Sequence, residues 1–399
     1  MNDNSNINTN DAQTRIYRVL LTPLGNFFFG GQKLTEVEGE KDYYIKSLYY
    51  PPQTVILGML RQELLIQNGL FPLDNVDKEN KEKAVRLIGE ASFDPANTAQ
   101  EFGVIKELSP VFIMHRKELA FHILPRDYDH TYKFHEEGKT YFNHPEAKTK
   151  LFVPYFEGYQ PKEEKPAKLI SKCSSHETID FNDLFITDEQ TGIKKGKSGQ
   201  TEEEGYYKQV FFRLKKGYAF ACYLKLKAKL DGQLVSFANN MVFLGGERSG
   251  FRMEVEPVEP GEPVEPGDQT DENKTVRDLF EQTLPILPGP KILLTSDAYV
   301  EPAILNLCDF AINESVFSRN FRSYVRTTRK YYNLTDRKND KETPFLGDCY
   351  NLLARGTVLY YHNRETLGRL AALLDTQGHQ KIGYNYYKIY PSQEEKEKE

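Results

Sequence analysis

Between Glu256 and Gly267 the sequence runs through Glu-Pro-Val-Glu-Pro-Gly twice in tandem. Proline at every third position removes backbone donors and fixes φ, so neither a helix nor a central strand can form there. Such a stretch reads as an extended, solvated connection. It divides the 399 residues into two units, 15–253 and 276–391, joined by an acidic, proline-rich linker at 254–275. The Asn- and Asp-rich residues 1–14 read as a disordered leader, and 392–399 as a solvated charged tail.

The linker also explains the charge. The chain carries a formal net charge of −6, which looks wrong for a protein that binds a polyanion. Eight acidic residues and no Lys or Arg lie between Glu254 and Glu272, leaving 52 basic against 50 acidic side chains elsewhere. That balance excludes a generic polyanion sponge and allows local basic grooves. The four cysteines, Cys173, Cys222, Cys308 and Cys349, form no C-x-x-C pair, which argues against a zinc site or a disulfide scaffold and for buried thiols. No apolar run approaches the roughly 20 residues of a membrane span, and Met1 to Thr14 has no secretory hydrophobic segment, so a cytoplasmic protein without membrane contact is expected.

Both units alternate strands and helices. Ile16 to Leu24 alternates as a strand with one apolar face, Tyr17, Val19 and Leu21 opposing Ile16, Arg18, Leu20 and Thr22. After Pro51-Pro52-Gln53-Thr54 a helix is predicted to about Gln67, with Thr54 as its cap and Val55, Met59, Leu60 and Leu64 on one side. Gly58 and Arg61 share a face of it. Leu108 to Lys117 and Leu119 to Pro125 read as a hairpin, followed by a long polar insertion at about 126–205. Tyr206 to Arg213 and Tyr218 to Leu226 alternate like paired strands. Beyond the linker, a strand at Lys291–Leu294, a strand at Gly356–Tyr361, a helix at about Arg364–Leu374 and a strand at Gly383–Tyr390 are expected. The fold class is α+β, and the alternation of strands and helices is that expected of two ferredoxin-like units.

Three segments carry chemistry. Phe243-Leu244-Gly245-Gly246-Glu247-Arg248-Ser249-Gly250-Phe251-Arg252 places three glycines beside two guanidinium groups. Glycine lets the main chain approach a ligand and arginine forks suit phosphate, so the segment is either a phosphate cradle or a tight hairpin. It is neither a Walker loop nor a dinucleotide fingerprint. Gly192 to Gly199, with Lys194, Lys195 and Lys197, reads as a mobile basic loop or a merely solvated one. Arg319, Arg322, Arg326 and Arg329 would form one stripe on a helix, able to track a phosphate backbone or to lie salt-bridged in solvent. Catalytic constellations are weak: His130, His135 and His144 lack metal-ligand spacing, and no serine sits in a G-x-S-x-G elbow. Neither a metal, a cofactor nor a catalytic residue is expected.

Taken in order, these segments resemble the RAMP superfamily, and within it the guide-capping third subunit of type III-B CRISPR (Cmr) effector complexes. The resemblance is carried by Thr22-Pro23-Leu24-Gly25-Asn26-Phe27-Phe28-Phe29, Pro51-Pro52-Gln53-Thr54-Val55 with Gly58 and Arg61, and Leu108-Ser109-Pro110 to Leu124-Pro125-Arg126-Asp127. It continues through Glu189-Gln190-Thr191-Gly192-Ile193, Glu204-Gly205-Tyr206-Tyr207, Leu244-Gly245-Gly246-Glu247-Arg248, Leu294-Thr295-Ser296 and Ala354-Arg355-Gly356-Thr357-Val358.

The resemblance implies two tandem ferredoxin-like (RAMP/RRM-like) domains with large insertions, and a place at the foot of the complex. There the family grips the repeat-derived 5′ tag of the crRNA and contacts the large polymerase-cyclase subunit and the first backbone RAMP subunit, with target RNA reached only indirectly. RNA would be held by Gly245, Gly246, Arg248, Ser249 and Arg252, by Lys194, Lys195 and Lys197, and by Arg61, Arg319, Arg322 and Arg326, with Phe243, Phe251 and Tyr207 as stacking rings. Ser249 stands where the family would have a second basic residue, and the Glu-Pro repeat is an unusual insertion. The competing expectations are the equivalent type III-A subunit, a RAMP endonuclease with His115 or His122 as general base, and an unrelated α+β binding protein.

Overall fold

The computed structural model describes residues 13–31, 33–35, 43–72, 77–89, 93–127, 132–133, 141–143, 150–152, 155–156, 168–171, 174–195, 201–258, 275–287, 290–318, 350–361 and 363–391. Arg319, Arg322, Arg326 and Arg329, Lys197, Cys173, Cys349, most of the linker, and His130, His135 and His144 lie outside them.

The N-terminal unit runs β1 (Thr14–Pro23), α1 (Gln53–Gln67), α2 (Lys78–Ile88), β2 (Ile105–Leu108), β3 (Phe112–His115), β4 (Leu119–Ile123), β5 (Lys168–Ser171), β6 (Ser174–Asp180), β7 (Phe185–Lys195), β8 (Thr201–Leu214), β9 (Tyr218–Lys227), β10 (Asn240–Leu244) and β11 (Ser249–Pro257). Its main sheet has the order β6-β5-β4-β3-β9-β1-β11-β10, with β2 also paired to β9. All its pairs are antiparallel, and β1 sits in the middle, flanked by β9 and β11. The predicted insertion is thus partly absorbed: β5 pairs with β4 and carries β6 outward as the edge. β7 and β8 form a long separate hairpin, and β8 pairs in parallel with Tyr43–Lys46.

The C-terminal unit runs α3 (Val276–Gln282), β12 (Lys291–Leu294), a helical turn Ile304–Leu307, β13 (Phe310–Ile312), β14 (Val358–Tyr360), α4 (Arg364–Leu374) and β15 (Tyr387–Tyr390). Its sheet has the order β13-β14-β12-β15, antiparallel throughout. The molecule is therefore α+β, as expected. Caps set the helix starts: Thr275 and Asp278 close a capping box on α3, Asp77 caps α2 and Asn363 caps α4. Thr54 does not cap α1. That position falls to Pro52, which supplies no side-chain bond, and proline's fixed φ suits the first turn instead.

β1 departs from the expected single apolar face. Tyr17, Val19 and Leu21 enter the main core, but Leu20 is buried too, on the opposite face, with Phe112, Ala221, Tyr223 and the α3 residues Val276, Leu279 and Phe280. Alternation alone could not reveal this, because the covering helix lies beyond the linker. The linker also begins later than its composition implies: Glu256 and Pro257 pair with Arg18 and Tyr17, and Val258 N donates to Ile16 O at 3.0 Å. Polyproline-like dihedrals are close to those of a strand, and Pro257 sits at the strand's last position, where its missing donor costs little.

The main core is aromatic. Phe27 packs against Phe29, Phe185, Phe212, Phe220 and Phe251, with centroids 5.0 to 6.4 Å apart. Phe27 also exchanges backbone bonds with Phe212, its N at 2.7 Å from Phe212 O. These contacts pin the segment following β1 between β11 and β8.

Candidate RNA interface

β10 and β11 are joined by the four residues Gly245 to Arg248, with Leu244 opposite Ser249. The glycine-rich segment is therefore a hairpin turn, one of its two expected forms. Gly245 has φ +76, and a Cβ there would lie 2.7 Å from Phe28 O, so only glycine fits. Gly246 is different: a Cβ there meets nothing within 4 Å. Arg248 N donates to Gly245 O at 3.1 Å, and Arg248 itself has φ +52. Among the described residues, no acceptor receives the amides of Gly246 and Glu247. Both residues are exposed, which an anion-binding turn requires.

The five turn residues predicted for RNA do not share one role. Arg248 is exposed, with its guanidinium 5.2 Å from the Phe243 ring centroid. Arg252 is exposed too, 3.9 Å from Glu254. Ser249 is buried, its Oγ accepting from Phe28 N at 3.0 Å, which ties the turn to the segment after β1 and takes the hydroxyl away from any ligand. Of the three rings expected to stack, Phe251 lies in the core. Phe243 is exposed, and the Tyr207 side chain falls outside the described residues.

The other expected contacts lie elsewhere. Arg61 is buried, its guanidinium 3.4 Å from Gly89 O and 6.0 Å from the Phe102 centroid. That packing replaces the RNA role expected for it: α1 turns the Arg61 side toward α2 and Phe102, whereas Gly58 stays exposed. Lys194 and Lys195 belong to β7, which pairs with β8 as far as Lys195 with Thr201, so half of the expected loop is strand. The hairpin base reaches the glycine turn through Asn26, whose amide donates to Asp188, and Phe28, whose ring is 5.1 Å from Phe211.

Sequence reasoning missed Leu24 and Met241, both exposed beside Phe243. Their signal was Met241-Val242-Phe243-Leu244, an unbroken apolar run where a half-buried strand should alternate with polar residues. His122, one of the two general-base candidates, is buried between Phe112 and Phe280 and bonded to Thr283 Oγ1 at 2.8 Å; burial drives its pKa down to about 3. His115 stacks on Tyr218 at 4.4 Å. The Cys222 thiol is buried and pushed up to about 12, an inert packing group. Among the described residues no helix is long and apolar enough to cross a membrane.

The family model of the CRISPR-associated protein (Cas_Cmr3) matches residues 19–390. The chain belongs to that family. The Cmr3-family match begins within β1, ends with β15 and takes in the glycine turn. Similar chains occur in cryo-EM structures of the type III-B Cmr-β complex. One, bound to cognate target RNA and AMPPnP, gives 13% identity and a TM-score of 0.43, covering 94% of this chain and 96% of the other. A second, bound to cognate target RNA, gives 12% and 0.43 at the same coverages. A third, in the apo state, gives 11% and 0.27, covering 62% and 98%. Among curated proteins none matches.

Proposed function

We propose that this Cmr3-family chain is a non-catalytic, RNA-gripping subunit of a type III-B CRISPR effector complex, holding the repeat-derived 5′ end of the guide RNA. It bridges the large polymerase-cyclase subunit to the first backbone subunit through two ferredoxin-like units. In each unit the strands of the β-α-β-β-β core stand in the order fourth, first, third, second, which supports that reading: β11-β1-β9-β3 and β15-β12-β14-β13. The N-terminal unit replaces the usual second crossover helix with β10 and its hairpin.

One observation carries the RNA reading: an exposed turn offers two uncommitted main-chain amides, at Gly246 and Glu247, beside the guanidinium of Arg248. Amides and a fork in this arrangement suit a phosphate oxygen. Holding without cleavage fits the burial of His122, which no substrate could reach.

Gly246→Glu is sterically free and Arg248→Ala removes only an exposed side chain, so both variants should fold normally. Each should reduce guide occupancy in the assembled complex, with RNA affinity weakened about tenfold. Each lost phosphate contact should also lower the salt slope by about 0.7. Unchanged occupancy in both variants would remove the turn from the RNA path. Cleavage of repeat RNA by the purified chain would replace the non-catalytic reading with an endonuclease.

A further inference from the structure

Resting on the RNA reading above, we propose that the outer face of the β10–β11 hairpin is a shelf on which one unpaired RNA base stacks, with Phe243 as its floor. Val242 and Leu244 point into the core, so Met241 and Phe243 point out, and the solvent side of this strand is apolar. Phe243 is 45% exposed, Met241 54% and Leu24 57%. Opposite Phe243 stands Gly250, which has no side chain to cover the ring. A Cβ built at Gly250 would lie 3.5 Å from Leu24 Cδ1 and 3.9 Å from Phe243 Cε1. Leu24 and Phe243 therefore converge over the glycine and form a continuous apolar surface.

Charge decides what sits there. Arg248 places its guanidinium by the Phe243 ring, and Arg252 occupies the position opposite Met241, so cations lie at both ends of the apolar patch. Glu247 is exposed in the same turn and Glu254 lies beside Arg252. With those carboxylates close by, the face cannot serve as a track for successive phosphates. A nucleobase suits it better: it is uncharged, its π-face matches the ring, and the phosphates on either side of it meet the two arginines. The other end of this sheet face is already occupied by α3, which covers Leu20, Phe112 and Tyr223 and leaves this corner open.

The test uses the full chain and a short single-stranded RNA carrying 2-aminopurine at successive positions. Wild-type protein should quench the probe strongly at one position. Phe243→Ala should abolish that quenching and weaken binding about tenfold, whereas Phe243→Trp should preserve both. Gly250→Val, which fills the space between Leu24 and Phe243, should also reduce quenching. Salt-dependent binding by the wild type with the same quenching in Phe243→Ala overturns the shelf and leaves the turn's grip on RNA standing. Absence of RNA binding by the wild type, assayed free and in its complex, overturns both. Loss of a partner subunit from Phe243→Ala complexes that keep their guide and its quenching would show that the patch docks protein, and would overturn the shelf.

Discussion

Arg355→Met should destabilise the protein by about 3–5 kcal/mol, the cost of stranding a buried charge, and lower the melting temperature by about 10 °C. The side chain is buried where the two units meet. Nη1 donates to Val111 O at 2.8 Å, Nε and Nη2 each reach the Asp297 carboxylate at 3.3 Å, and the guanidinium lies 4.2 Å from the Tyr50 centroid. Methionine fills a similar volume but leaves Asp297 without its cation and Val111 O without its donor. The double variant Arg355→Met, Asp297→Asn should recover much of the loss, because the charge is then gone from both sides. Thermal and urea unfolding of the wild type and the two variants measure this. A single variant within 1 kcal/mol of wild type would show that the pair is not what holds the seam.

Arg355 belongs to a pattern. Gln53 Nε2 donates to Ser109 O at 2.9 Å and Ile382 O at 2.7 Å, while Gln53 Oε1 accepts from Val111 N at 3.1 Å. A Cβ on Gly383 would lie 2.0 Å from that same Nε2. Asp127 holds Lys291 at 2.6 Å and also accepts from the Tyr360 hydroxyl. Gln53, Ser109, Asp127 and Arg355 come from three of the short segments that carry the family resemblance, Ser109 and Asp127 from the two ends of one of them. Those three segments therefore build the junction between the units, whereas the glycine turn faces outward. A resemblance found in ordered fragments was right about the family, yet it said little about which fragments touch RNA.

What the sequence revealed follows from what periodicity measures. β1 was legible because alternation reports which residues leave water. It does not report what they meet. Arg61 and Arg355 are both arginines near glycines, and both are buried against aromatic rings supplied from elsewhere in the chain: Phe102 for one, Tyr50 for the other. Ser249 and Phe251 flank an exposed turn, but strand pairing turns both inward. The second buried face of β1 was invisible for a similar reason, since α3 arrives from across the linker. The candidate interface was half legible. Glycines and arginines marked the turn, whereas the apolar corner at Leu24, Met241 and Phe243 needed the register of β10 against β11 to be seen as one surface.

Lowering the pH from 7 to 5 should remove about 2 kcal/mol of stability through His122 alone. Its folded pKa is depressed to about 3 from 6.5, first by burial and then by the positive charge of Arg355. The unfolded chain thus takes up a proton below about pH 6.5 that the folded chain refuses until about pH 3. The stabilisation is present above the unfolded pKa and disappears as pH falls through that window. His379, held down to about 4 by burial, acts in the same direction. Thr283 Oγ1 gives its own proton to Phe280 O at 2.6 Å, so His122 Nε2 is the donor in their bond, and the neutral ring fits without rearrangement. His122→Gln keeps an N–H donor for Thr283 but cannot titrate. Its unfolding free energy, measured in urea across pH 4 to 7, should fall less steeply than wild type by about one proton. Equal slopes in the two proteins would mean that the ring is protonated in the folded state, and the packing of Phe112 and Phe280 around it would then have to open to admit water.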